Sequence, residues 1–185
     1  LVWLPYDPTA MSGGRLKPPS WQHWAGTDRL GRDYFTQVMI GARIALSVGI
    51  GAAALGGLIG TTLGVLAAFA RRGADDALAA ALDILIAFPT LLLAMLVVAA
   101  SDAASLGTAI LAIGLAMSAI IARLVRVVSK RVLAQDYVTA ARCCGAGWVR
   151  IVLTHVLPNI APTLLVVLAL QFGLAVIAEA SLSYL

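Results

Sequence analysis

The sequence predicts an all-α polytopic membrane protein, and its composition and apolar stretches carry that prediction. Of its 185 residues, 61% are hydrophobic and only 12% are charged, and the mean hydropathy is +0.96. A soluble domain has about a quarter of its residues charged, and one of this size cannot bury so much apolar surface. A single soluble globular domain and an intrinsically disordered chain are therefore both excluded.

Four apolar stretches supply the spans, because a helix needs about 20 mainly apolar residues to cross a bilayer. We expect spans at residues 44–70, 77–100, 106–122 and 160–178. Pro89 lies inside the second stretch, and we expect it to kink that span. Such a kink either shapes a pathway or serves packing, and the sequence leaves both open.

Basic residues predict the orientation of the spans. Arg71 and Arg72 follow the first span, no Lys or Arg lies in residues 101–105 after the second, and six basic residues follow the third. These six are Arg123, Arg126, Lys130, Arg131, Arg142 and Arg150. The positive-inside rule therefore places the links after the first and third spans in the cytoplasm and the link after the second outside.

The first span carries small residues at every fourth position. They are Ala52, Gly56, Gly60, Gly64 and Ala68. This spacing lines one face of a helix and lets a second helix approach closely. The stripe could pack within one subunit or form a subunit interface, and we favour packing within the subunit because the pattern indicates no partner.

Two carboxylates lie in or beside spans. Asp83, about two turns from the cytoplasmic end of the second span, can reach cytoplasmic arginines such as Arg71 or Arg126. A structural ion pair is therefore a better interpretation than a proton relay, although an intramembrane carboxylate is a functional candidate by default. Glu179 lies just beyond the fourth span, where we favour a solvated interfacial carboxylate over a group that meets substrate or a delivery protein.

The residue spacing in the link after the third span is typical of helices. Arg123, Arg126 and Lys130 share one face of a helix that continues out of the membrane. Asp136 is expected to cap a short helix at residues 137–144. Gly145 is expected to end that helix in the left-handed conformation.

A second short helix is predicted at residues 148–156, and Pro158 is expected to stop it before the fourth span begins. The link then forms a helix–turn–helix at the cytoplasmic membrane surface. It leaves Tyr137, Ala140, Ala141 and Trp148 exposed. Such a surface predicts a partner.

Residues 136–159, DYVTAARCCGAGWVRIVLTHVLPN, resemble the cytoplasmic signature loop of bacterial ABC-importer permeases, whose pattern is E-A-A-x3-G-x9-I-x-L-P. The matching positions are Ala140, Ala141, Gly145, Leu157 and Pro158. Thr139 replaces the glutamate of the pattern and His155 replaces the isoleucine. Both departures resemble the dipeptide, oligopeptide and nickel branch.

Three other stretches resemble the C-type permease of that branch: residues 26–49, 82–94 and 179–185. The resemblance implies the transmembrane-domain fold of a type I ABC importer with six spans, of which this chain would hold four complete ones. Residues 1–4 would be the end of a further span. The chain is then one permease domain over 1–185, with an external or interfacial segment (1–43), three spans (44–122), a cytoplasmic coupling loop (123–159), and the fourth span with the start of an external segment (160–185).

The resemblance also implies partners and a role. A second homologous permease would complete the pathway, two cytoplasmic ATPase subunits would hold ATP and Mg, and an external binding protein would deliver peptides or related solutes, nickel among them. This chain would bind no cofactor and catalyse nothing, and its lysines, Lys17 and Lys130, do not follow glycine as a phosphate-binding loop requires. It would be a multi-pass protein of the bacterial inner membrane, surrounded by lipid, with its coupling loop in the cytoplasm. The coupling residues would be Tyr137, Thr139, Ala140, Ala141, Arg142, Gly145, Arg150, His155, Leu157 and Pro158.

Functions of other classes are less well supported. With 13 basic residues and 6% aromatic residues, a nucleic-acid interface is not expected. An ion-driven secondary transporter or channel is the alternative, but it needs ionisable groups along a pathway, and only Asp83 qualifies.

The remaining candidates have structural interpretations. His23 and His155 lack a second ligand at metal spacing, and Cys143 and Cys144 are expected to be small apolar fillers. Residues 28–43 predict an amphipathic interfacial helix capped by Asp28. Its lipid-facing side chains would be Tyr34, Phe35, Val38 and Met39.

Overall fold

The structure, a computed structural model, describes residues 3–101 and 105–183. The helices are α1 (Tyr34–Phe69), α2 (Arg72–Ala87), α3 (Thr90–Ala99), α4 (Leu106–Leu133), α5 (Asp136–Cys143), α6 (Trp148–Ile151) and α7 (Leu157–Ser183). Over these residues the only β-pairing is one isolated bridge between Thr27 and Asp33. The predicted all-α class is therefore confirmed. Most of the expected external link, residues 102–104, and part of the predicted further span, residues 1–2, lie outside the described residues.

The chain divides into two compact units, Leu1–Ser47 and Val48–Leu185. Among the described residues, three helices are long and apolar enough to cross a membrane: α1, which begins in the first unit, α4, and the helix Trp148–Ser183. The third of them is continuous from Trp148 to Ser183, because a π-helical segment, Val152–Val156, joins α6 to α7. A fourth span exists if α2 and α3 count as one.

The predicted second span is broken rather than kinked. α2 and α3 meet at an angle of 88°, and the residues between them, Phe88 (ψ 132°) and Pro89 (ψ 126°), are extended. Proline lacks a backbone N–H and pushes the residue before it out of the helical region. Both effects act at one point here and end the helix.

The small-residue stripe of α1 packs against α4. A Cβ atom added to these glycines would lie under 3 Å from an α4 carbonyl oxygen: Gly56 from Gly114 (2.8 Å), Gly60 from Ser118 (2.7 Å) and Gly64 from Ala122 (2.6 Å). The α4 partner advances by four residues whenever α1 does, so the two helices run parallel in register. The α4 partners are themselves small and four residues apart, so α4 carries a matching stripe.

α7 runs against this pair. Gly49 lies beside Phe172 and Val176, and Gly57 lies beside Leu168, so α7 descends in number as α1 ascends. α1 and α4 therefore cross in one direction and α7 in the other. This is the alternation that the positive-inside rule predicts.

The N-terminal unit differs from the prediction at its cap. Asp28 forms a turn instead of capping a helix: its carboxylate accepts from the N–H groups of Leu30 (2.7 Å) and Arg32 (2.9 Å). Asp33 lies immediately before α1, and its Oδ2 accepts from the Thr36 N–H (2.8 Å) and hydroxyl (2.7 Å). The helix therefore begins five residues later than a cap at Asp28 requires and continues into the first span without a separate interfacial helix.

Asp33 also joins α1 to the loop before it. Its Oδ1 lies 3.0 Å from Nδ1 of the buried His23, whose ring packs on Tyr6 with centroids 5.0 Å apart. Burial raises the pKa of the Asp33 carboxyl, but hydrogen bonds from Thr36 and then His23 outweigh it, and the pKa lies below its usual value. The ionised carboxylate therefore stabilises this unit.

Candidate functional site

The residues that connect α4 to α7, 136–158, are called the coupling segment below. α5 begins after Gln135, and within the described chain no side chain caps it, so the predicted cap at Asp136 is wrong. Asp136 instead occupies the first turn, where a negative charge faces the positive end of the helix dipole.

The end of α5 has the predicted left-handed glycine. Gly145 has φ +84°, the Ala146 N–H donates to the Ala141 carbonyl (3.0 Å), and the Gly145 N–H donates to the Arg142 carbonyl (2.9 Å). This is the Schellman pattern of helix termination. Among the described residues nothing lies within 4 Å of a Cβ added there, so the backbone conformation alone, and not crowding, requires glycine.

Contrary to prediction, the helix that begins at Trp148 does not end at Pro158. The helix widens to the π form over Val152–Val156 before it reaches Pro158 and then continues as α7. Two side chains bond to backbone carbonyls along this turn: Thr154 Oγ1 donates to the Arg150 carbonyl (2.6 Å), and Asn159 Nδ2 donates to the His155 carbonyl (2.7 Å). Proline removes one backbone donor at this point, and π turns of this kind concentrate at functional sites.

Buried aliphatic side chains fix the coupling segment to the membrane helices. Val138 in α5, Ile151 in α6 and Val156 in the π turn are each at most 2% exposed. They share one apolar cluster with Val65, Ile121, Val125, Val132 and Ile160 from the long helices. The buried side of the segment is therefore packed against the membrane helices, and close-packed contacts of this kind can transmit a displacement.

The opposite face of the segment is exposed. Tyr137 is 45% exposed and Trp148 is 60% exposed. Thr139, Ala140, Arg142, Arg150 and Pro158 are also exposed, whereas Ala141, His155 and Leu157 are half-buried. Val149 and Leu153 add large exposed apolar side chains beside Trp148. An exposed apolar patch with basic residues around it is typical of a protein-binding surface.

The structure also locates three further residues interpreted from the sequence. Cys143 and Cys144 are exposed and are therefore not buried fillers. His155 packs within the segment, its ring 5.7 Å from that of Tyr137. No cluster of three or more metal-ligating residues occurs in residues 3–101 and 105–183.

Ion pairs hold α2 against α4 where α4 leaves the bundle. Asp75 is buried and binds Arg126 (2.5 Å) and Lys130. The Asp83 carboxylate lies 2.9 Å from Arg123, with more than half of each side chain exposed. Asp83 therefore forms an ion pair, but with neither Arg71 nor Arg126. All three α4 cations point towards α2, which explains why they share one helix face.

Comparison with known proteins finds a family model and several relatives that match this chain. Residues 60–185 match the model of the binding-protein-dependent transport system inner membrane component. A putative peptide transport system permease protein of Brucella suis is 41% identical over 92% of this chain. A dipeptide transport system permease protein of Alkalihalophilus pseudofirmus is 40% identical over 92%, and a glutathione transport system permease protein of Pectobacterium atrosepticum is 37% identical over 90%. The chain spans 57%, 56% and 55% of these relatives, respectively.

Proposed function

The chain belongs to the family of binding-protein-dependent transport system inner membrane components, and from this we propose that it is a permease subunit of an ATP-driven ABC importer. It would form half of the translocation pathway for peptides or related small solutes across the bacterial inner membrane. The relatives compared are named for peptides, dipeptides and glutathione, which supports the peptide class; none of these three is named for nickel.

The observation that carries this proposal is the arrangement of buried and exposed side chains in the coupling segment. Its buried side, Val138, Ile151 and Val156, is packed into the membrane helices, and its exposed side presents Tyr137 and Trp148. A segment exposed on one side and fixed on the other converts a push from a docked protein into tilting of the spans. Docking of this kind supplies work to a chain that has no phosphate-binding loop of its own.

The partners follow from this role. A second homologous permease would complete the pathway, and an external binding protein would deliver the solute. Two cytoplasmic ATPase subunits would bind ATP and Mg and dock on α5, where small Ala140 and Ala141 permit close approach. The chain itself would be non-catalytic. An ion-driven transporter is less well supported, because the carboxylate of Asp83 is paired with Arg123.

Co-purification tests the docking surface. In the complete transporter, Ala140→Trp should abolish co-purification of the ATPase subunits, because the larger side chain keeps the docked surface away. Ala74→Trp is the matched control, since Ala74 is also exposed, at the start of α2 and outside the coupling segment. Both variants should insert normally. ATP-independent solute uptake by the wild-type transporter in vesicles would refute the proposal in favour of the ion-driven alternative.

A further inference from the structure

A cavity of about 230 Å³ opens between α3, α4 and α7. Most of its wall is apolar, including Leu91 and Met117, and its polar lining residues are Thr90, Gln171 and Ser181. None of the residues that line it is charged. A mainly apolar pocket with a few convergent polar groups is the usual form of a small-molecule site.

Gln171 is the first unusual feature of this cavity. It lies near the middle of α7 and is 4% exposed, yet its Nε2 donates to no acceptor within residues 3–101 and 105–183. An unpaired amide in an apolar interior is destabilising. Polar groups that persist inside spans despite that cost typically face a solute pathway.

The second feature is independent of the first: the break in the second span places the N-terminus of α3 at the same cavity. The first intrahelical bond of α3 runs from the Leu93 N–H to the Pro89 carbonyl (3.1 Å). The N–H groups of Thr90, Leu91 and Leu92 therefore have no acceptor within α3, and no side chain of the described residues caps them. Thr90 and Leu91 line the cavity. The N-terminus of α3, which is the positive end of its dipole, thus lies at the cavity.

These groups share one chemical property, since every one of them can donate a hydrogen bond. Thr90 and Leu91 at the start of α3, Gln171 and Ser181 all line one mainly apolar space, while no acidic side chain lines it. Resting on the proposed function, we propose that this cavity binds the terminal carboxylate of a short peptide in transit, with Gln171 and the α3 N-terminus as the donors. The apolar wall accommodates the adjoining side chain.

Replacing Gln171 by Leu separates a solute-binding role from a structural one. Leucine removes the unpaired amide at similar volume, so the thermal stability of the permease should stay equal or rise. ATP-driven uptake of the dipeptide alanyl-phenylalanine by the complete transporter should fall about tenfold, the effect of a lost hydrogen bond to a charged group. Gln171→Asn should retain part of the uptake, and Leu170→Ala, at an exposed neighbouring position, should retain all of it. Lower stability with unchanged uptake in Gln171→Leu would overturn the inference.

A thiol at Ser181 reports occupancy directly. Cys143 and Cys144 are replaced by Ser, Ser181 by Cys, and the assembled transporter is labelled with a maleimide in the absence of ATP. The free dipeptide should slow labelling, its C-terminal amide should not, and the protection should disappear with Gln171→Leu. Equal protection by acid and amide would overturn the carboxylate assignment. Labelling blocked by assembly alone would show that a partner helix fills the cavity. Because this labelling measurement needs no transport, its outcome can be distinguished from ATP-independent uptake by the wild-type transporter, which would refute the proposed function.

Discussion

Adding one methyl group at Gly64 tests the contact between α1 and α4. A Cβ there lies 2.6 Å from the Ala122 carbonyl oxygen and 2.7 Å from Val125 Cβ. Neither atom can rotate away, because one belongs to the backbone and the other is the branch point of a valine. Gly64→Ala must therefore separate the two helices.

The size of the effect follows from that separation. Opening a packed contact by about 0.5–1 Å forfeits a quarter to a half of its dispersion energy, and overpacking of this kind costs about 1–3 kcal/mol. The higher helix propensity of alanine returns up to about 1 kcal/mol. We therefore expect Gly64→Ala to lower the free energy of unfolding by about 1–2 kcal/mol.

Gly173→Ala is the matched control, because within the described chain nothing lies within 4 Å of a Cβ at Gly173. Thermal unfolding of the purified protein in detergent should show Gly64→Ala about 2–8 °C below the wild type and Gly173→Ala equal to it or above. If the two variants unfold at the same temperature, the close α1–α4 contact does not exist in the membrane protein.

Three other predictions concern single groups. Gly145→Asp should uncouple ATP hydrolysis from uptake while the subunit still inserts, and Gly145→Asn should retain more uptake because asparagine tolerates the left-handed conformation best after glycine; equal uptake by the wild type and the Asp variant would contradict this. Asp75→Asn should lower the unfolding temperature more than Asp83→Asn, because Asp75 is buried between two cations whereas Asp83 is half-exposed; the reverse order would contradict it. Because the pKa of Asp33 is lowered, its stabilisation is complete above the ordinary carboxyl pKa of about 3.9 and is lost as the pH falls through the lower folded value. In a Trp148→Phe background, tryptophan fluorescence of the first unit should report that loss, and Asp33→Asn should abolish the transition.

Sequence reasoning worked where one residue determines the local backbone or a whole segment obeys a period. Gly145 is in the left-handed conformation, as its position after a short amphipathic helix predicts. The four-residue stripe predicts a close helix approach on α1, and the structure provides one. These features depend on near neighbours in the chain, which a sequence displays directly.

Sequence reasoning failed where the local structure depends on a partner distant in the chain. Asp28 and Asp33 both precede α1 as capping residues should, and the contact of Asp33 with buried His23 distinguishes them only in the folded unit. Pro158 is a helix breaker by local rules, but the π turn before it lets α7 continue. Asp83 pairs with Arg123 and not with Arg126, because Arg126 binds Asp75. No signal within the sequence ranks these competing partners.

The continuous helix Trp148–Ser183 explains why docking and the cavity would be linked. Trp148 lies on the exposed face of the coupling segment, and Gln171 lies on the cavity, about 35 Å further along the same helix at 1.5 Å per residue. If the docked end turns by about 10°, a rigid helix of this length displaces Gln171 by about 6 Å relative to α3. That displacement exceeds the length of a hydrogen bond, so the donors of α7 and α3 would converge in one state and part in the other. Binding and release of a carboxylate would then follow from the tilt of a single helix.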